Sequence, residues 1–127
     1  MPMSSSWSYV PNAANKSANT LIHMLCNAVS KGGNFLLNVA PGPDGDWDDS
    51  SYYRLKEIGA WMKVNAEAIY GTTFIKPYKE DKIVFTKKGE AVYAIYLAEE
   101  NEMQMPGTII INSFQKKINN KNLPVGI

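Results

Sequence analysis

Apolar positions change their spacing along this chain, and each spacing predicts a different element. From Ser17 to about Lys31, Leu21, Ile22, Leu25, Ala28 and Val29 recur at three- and four-residue intervals. That period predicts a helix with one buried face, capped by the Ser17 hydroxyl and closed by Gly32-Gly33. Residues 34–40, NFLLNVA, show no alternation of polar and apolar positions, which is the pattern of a strand covered on both faces. Pro41-Gly42-Pro43-Asp44-Gly45 then enforces a loop, because proline donates no ladder hydrogen bond. A second helix is expected from a Ser50 or Ser51 cap to about Ala68. Leu55, Ile58, Met62, Ala66 and Ile69 form its inward stripe, and Arg54, Lys56, Glu57 and Lys63 lie largely outside it. Gly59 within the stripe predicts close packing, at a helix-propensity cost of about 1 kcal/mol relative to alanine. Trp61 and Tyr70 read as helix-to-sheet packing.

After Tyr70-Gly71-Thr72-Thr73 the helical period is lost. Residues 82–86 and 91–98 read as a hairpin around the glycine-containing turn 87–90, and residues 107–112 as a third strand. Residues 119–122 are polar and expected as loop. A boundary therefore falls near residues 72–80, with helix–strand–helix before it and a small antiparallel β block after it. The fold class is α/β plus β. A strand covered on both faces cannot stand alone, and a β/α barrel needs eight of them over roughly 200 residues or more. With one such strand, the chain is expected to be a piece of a larger protein.

The formal charge of +1, from 13 basic and 12 acidic residues spread along 127, leaves no electrostatic footprint for nucleic acid or anionic lipid. No apolar run approaches the roughly 18 residues of a membrane-spanning helix. Residues 1–7 lack the basic and apolar blocks of a signal peptide, which says nothing about a longer parent. Cys26, the single cysteine, falls on the apolar side of the first helix and reads as a small core residue. His23, the single histidine, has no second ligand at metal spacing. Asp44, Asp46 and Asp48 alternate as in a calcium loop, but Asp49 stands where that loop requires glycine and Leu55 where it requires glutamate. Asp44-Gly45 is first of all a turn element. Neither a metal nor a cofactor is expected.

Ser-Trp-Ser-Tyr at 6–9, Val-Ser-Lys-Gly-Gly-Asn at 29–34, Leu-Leu-Asn-Val-Ala-Pro-Gly-Pro-Asp-Gly at 36–45 and the segment RLKEIGAWMKVNAEAIYGT at 54–72 together resemble the α-L-fucosidases of glycoside hydrolase family 29. The resemblance covers about residues 5 to 74. It implies the last helix–strand–helix portion of a (β/α)8 barrel over residues 1–74, with 34–40 as the closing strand. Part of an antiparallel C-terminal β-sandwich over residues 75–127 would follow. The family more often has glycine at positions 8 and 66, and Gly-Pro-Thr-Pro where Ala40-Pro41-Gly42-Pro43 stands.

Members of that family are retaining glycosidases, which remove fucose with two carboxyl groups about 5–5.5 Å apart. Both belong to earlier barrel strands or loops, so the resemblance assigns no catalytic residue to this chain and implies that it is inactive alone. It does imply a fucosylated glycan as the parent's substrate and the missing barrel portion as a partner. Trp7 is the candidate for walling the sugar pocket around the fucose methyl, the alternative being loop packing. Trp47 is a candidate for an outer sugar or aglycone subsite, or a cover for its own loop. The Asn38 amide is a candidate for orienting a neighbouring catalytic group, or a partner for barrel backbone. Tyr9 reads as structural. Family members are often secreted, periplasmic or lysosomal, and the compartment of this chain stays open. The competing class is a non-catalytic carbohydrate-binding or structural complement module of α+β type.

Overall fold

A computed structural model of the chain describes residues 1–102 and 104–114. The first helix, α1 (Ala18–Ser30), begins and ends where its periodicity implies. The Ser17 side chain accepts from the Thr20 amide at 3.1 Å, and Gly32 takes φ +79° while its amide donates to the Val29 carbonyl at 2.9 Å. A left-handed residue at this point favours glycine. α1 buries Leu21, Cys26 and Ser30.

Residues 34–40 do not form the fully covered strand expected of them. They pair on one side only, with residues 1–3, around a parallel bridge between Pro2 and Asn38. The Met1 ammonium donates to the Leu36 carbonyl at 3.1 Å. The Asn38 amide donates to Met1 and the Met3 amide to Asn38, both at 2.9 Å. Peptide groups alternate sides along a strand, so those of Leu37 and Val39 face away from this pairing. Leu36 is 76% exposed. The apolar run lacks cover because a second neighbouring strand is absent from the described residues.

The second helix, α2 (Asp49–Asn65), is capped by Asp48, two residues before the earlier of the two expected serines, and runs into a 3-10 turn at Ala66–Ala68. The Asp48 carboxylate accepts from the Ser51 amide at 2.7 Å and the Ser50 hydroxyl at 3.0 Å. An aspartate three residues before a free amide outcompetes the serines for this position. Leu55, Ile58, Met62 and Ala66 are half-buried and Ile69 is buried. Arg54 and Glu57, expected outside, are half-buried and paired at 2.5 Å. Gly59 is exposed, and a Cβ there would meet nothing within 4 Å, so it makes no close contact. Trp61 packs against the core, but Tyr70 is 66% exposed and does not pack as expected.

Three antiparallel strands follow in the order β1 (Thr73–Glu80), β2 (Ile83–Lys88), β3 (Ala91–Tyr96). The β2–β3 hairpin matches its pattern, with Lys88 opposite Ala91 and Gly89 at φ +57° in the turn. The third strand is β1, not residues 107–112, which form no strand. Pro77 conceals β1 in the sequence. A proline is accommodated at a sheet edge, and the register shifts between Phe74 and Lys79 around it. The polar stretch 119–122 lies outside the described residues.

β2 is the buried centre of the molecule, with Ile83, Val84, Phe85 and Thr86 all shielded from solvent. Toward the helices, Val84 joins Cys26, Ile69 and Leu97 in a cluster flanked by Ile22, Leu25, Val29, Trp61 and Met62. On the opposite face, Phe85 meets the Phe114 ring edge-on, with centroids 4.9 Å apart. Glu80 at the end of β1 holds the returning chain. Its carboxylate accepts the backbone amides of Asn112 and Ser113, both at 2.9 Å, the Asn112 side-chain amide at 3.2 Å and the Ser113 hydroxyl. Each large apolar side chain so buried contributes about 1.5–3 kcal/mol, which puts the molecule's stability at the helix–sheet junction rather than at residues 34–40. No helix among the described residues is long and apolar enough to cross a membrane.

Candidate functional site

Both members of the parallel pair lead into loops at the same end, 4–16 after the first and 41–48 after the second. The first loop is closed on its own base by Lys16. Its ammonium donates to the carbonyls of Pro2 at 2.9 Å and Ser4 at 2.5 Å, and its amide donates to Met3 at 2.9 Å. Within it, the Ser6 and Ser8 amides donate to the hydroxyls of Ser4 and Ser6 at 3.3 and 3.2 Å. These local turns carry Trp7 outward, where it is 59% exposed. Asn38 reaches across from the neighbouring strand, its Nδ2 donating to the Trp7 carbonyl at 2.9 Å. The structure therefore brings Trp7 and Asn38 together, and the Asn38 amide holds the backbone of Trp7 instead of an acidic side chain.

The second loop folds through Gly42, whose amide donates to the Asp46 carbonyl at 2.7 Å. A Cβ on Gly42 would lie 3.0 Å from Asp44 Oδ1 and 3.6 Å from the Tyr9 ring, so glycine lets the two loops approach. Tyr9, 38% exposed, lies beside this approach. Asp46 Oδ1 accepts from the Trp47 amide at 2.8 Å and the Tyr52 hydroxyl at 2.5 Å. The Trp47 and Tyr52 rings stand 5.5 Å apart, inclined by 54°. Asn15 ties the two loops at the start of α2, donating to the hydroxyls of Ser50 at 2.8 Å and Ser51 at 3.2 Å. A small cleft between them is lined by Ser8, Tyr9, Asn38, Ala40, Asp48 and Ser51. No ring contact joins Trp47 to Trp7 among the described residues.

The carboxylates here are engaged in holding structure. The Tyr52 hydroxyl, and after it the Trp47 amide, keep Asp46 below the usual carboxylate range. The Ser51 amide and the hydroxyls of Ser51 and Ser50 do the same for Asp48. A general acid needs the opposite shift. No group of three His, Cys, Asp or Glu residues could hold a metal ion among the described residues. Burial pushes the Cys26 thiol up to about 12, against a lesser lowering by a backbone hydrogen bond, which makes it inert as a nucleophile.

The family model for α-L-fucosidase matches residues 1–67 of the chain, more than half of it. The chain belongs to the α-L-fucosidase family. It is 42% identical over 83 residues to the tissue α-L-fucosidase of Bos taurus, covering 62% of this chain and 17% of that protein. With the α-L-fucosidase of Branchiostoma floridae it shares 37% over 91 residues, covering 67% of this chain and 20% of the relative. The solved Thermotoga maritima α-fucosidase in complex with fucose superimposes with a TM-score of 0.70 at 36% identity, over 76% of this chain and 24% of that one. Isoenzyme 1 from Paenibacillus thiaminolyticus gives 0.69 at 32%, over 72% and 22%. The chain thus spans about a fifth of the length of the curated fucosidases it matches.

The sequence pattern singled out Trp7, Asn38 and Trp47 and noted Asp46 among the loop aspartates, but missed Tyr52 as the partner of Asp46. The signal was present in Asp46-Trp47-Asp48 followed by Tyr52 in the first turn of a helix. It becomes readable only once Asp48 is known to be the cap, which fixes the direction in which Tyr52 projects.

Proposed function

We propose that this chain supplies the closing part of the catalytic barrel of a retaining α-L-fucosidase, residues 1–74, followed by the opening strands of a β-sandwich, residues 75–127. The observation that carries this reading is the parallel pairing of residues 1–3 with 36–38 on either side of α1. It sets two extended segments parallel on either side of one helix, inside the residues matched by the family model. Its loops emerge together, as the loops that build active sites do at one end of a barrel. The outward peptide groups of Leu37 and Val39 are where the next barrel strand would pair. The cover that Phe114 gives the second face of the sheet fits the start of a sandwich.

In this reading the substrate is a fucosylated glycan, as the fucose complex of the Thermotoga maritima relative supports. The chain contributes the pocket wall: Trp7 offers an apolar face to the fucose methyl without demanding a hydrogen bond, and Asn38 fixes the peptide that carries it. The nucleophile and the acid/base come from barrel residues outside this stretch, since Asp46 and Asp48 are committed to the loop and the helix cap.

The test is release of phenol from an aryl α-L-fucoside. The 127-residue chain alone is expected to be silent, and mixing it with the complementary barrel portion should restore turnover that Trp7→Ala lowers. Release by the purified chain alone, or no gain on complementation, would count against the proposal.

A further inference from the structure

The Trp47–Tyr52 pair stands apart from Trp7 and is held by a support of its own. We propose that Trp47, Tyr52 and Asp46 form a platform for a neutral pyranose, the sugar that bears the fucose. Its place in the substrate rests on the fucosidase reading above.

One carboxylate oxygen of Asp46 takes both the Trp47 amide and the Tyr52 hydroxyl. This holds the Tyr52 ring and the Trp47 backbone, and the two rings form a shallow corner, 5.5 Å between centroids and 54° between planes. The loop beneath is closed by the Gly42–Asp46 and Gly45–Gly42 backbone bonds. Such preorganisation reduces the ordering cost of binding. Trp47 is 39% and Tyr52 49% exposed, so ring surface remains open to a ligand.

The chemistry of the corner selects the ligand. Aromatic faces match the apolar C–H face of a pyranose, and Asp46 Oδ2, which accepts no hydrogen bond among the described residues, is free for a sugar hydroxyl. Asp44, Asp46, Asp48 and Asp49 around the loop oppose an anionic ligand. A neutral, hydroxyl-rich ring satisfies both constraints.

Heteronuclear NMR of the chain titrated with methyl β-D-galactopyranoside tests this, with mannitol as an acyclic polyol control. The Trp47 indole and Tyr52 ring signals should shift saturably with the galactoside and not with mannitol. Trp47→Ala should weaken binding by about tenfold. Tyr52→Phe, which keeps the ring and loses the bond to Asp46, should weaken it less while leaving the folded spectrum intact. Unmoved signals, equal shifts with mannitol, or undiminished binding by Trp47→Ala would each overturn the platform. The readout is binding, so a failure here is distinct from a failure of the fucoside assay.

Discussion

Thr86 is fully buried in β2, and its hydroxyl donates to the Ala68 carbonyl at 2.7 Å. A strand residue thereby satisfies a carbonyl at the end of a helical segment, one of the groups a helix terminus leaves open. Replacing Thr86 by valine keeps the shape and removes the donor, so the carbonyl is left unpaired in a dry setting. The expected loss is about 1–3 kcal/mol in urea unfolding, with Thr86→Ser milder. A valine variant as stable as the parent would show that water serves this carbonyl equally well. Asn38 also spans elements, and its bond to Trp7 accounts for an asparagine in an otherwise apolar run. The residue could be singled out from the sequence. Its partner could not, because the link joins positions 31 apart.

Local signals decided which elements were legible. α1 and the β2–β3 hairpin follow from periodicity, a serine cap and glycine turns, all of which act within a few residues. Residues 34–40 failed as a strand because strand formation depends on neighbours. β1 was hidden by Pro77 and by a mostly exposed pattern, and Glu80 rather than a third strand orders residues 112–113. Gly59 in α2 offers an element-scale test. Alanine is the better helix former by about 1 kcal/mol, and its Cβ would meet open space. Gly59→Ala should therefore raise the stability of the isolated chain by about that amount in thermal unfolding. A loss of stability would mean that another surface packs on this face.

At the scale of the whole molecule, the Glu80 carboxylate helps tie the returning chain to the sheet, beside the Phe85–Phe114 contact. Bonds from Ser113 and Asn112, the Ser113 hydroxyl foremost, hold Glu80 down at about 2 from an ordinary 4.5. A depressed carboxylate contributes stability that is present above its unfolded value and lost as pH falls through its folded one. The Ser113 and Asn112 amide signals should stay constant down to about pH 4.5 and then move with a midpoint near 2. A midpoint near 4.5 would show that the tether does not form. The helix–sheet core explains how the chain can fold locally while one strand waits for a partner, and that waiting strand is the centre of the account. Hydrogen exchange at Leu37 and Val39, read alongside the sedimentation of the chain, tests it most directly. The account predicts rapid exchange at both amides, or protection only in self-associated material. Slow exchange at both in a monodisperse 14.1 kDa monomer would contradict it.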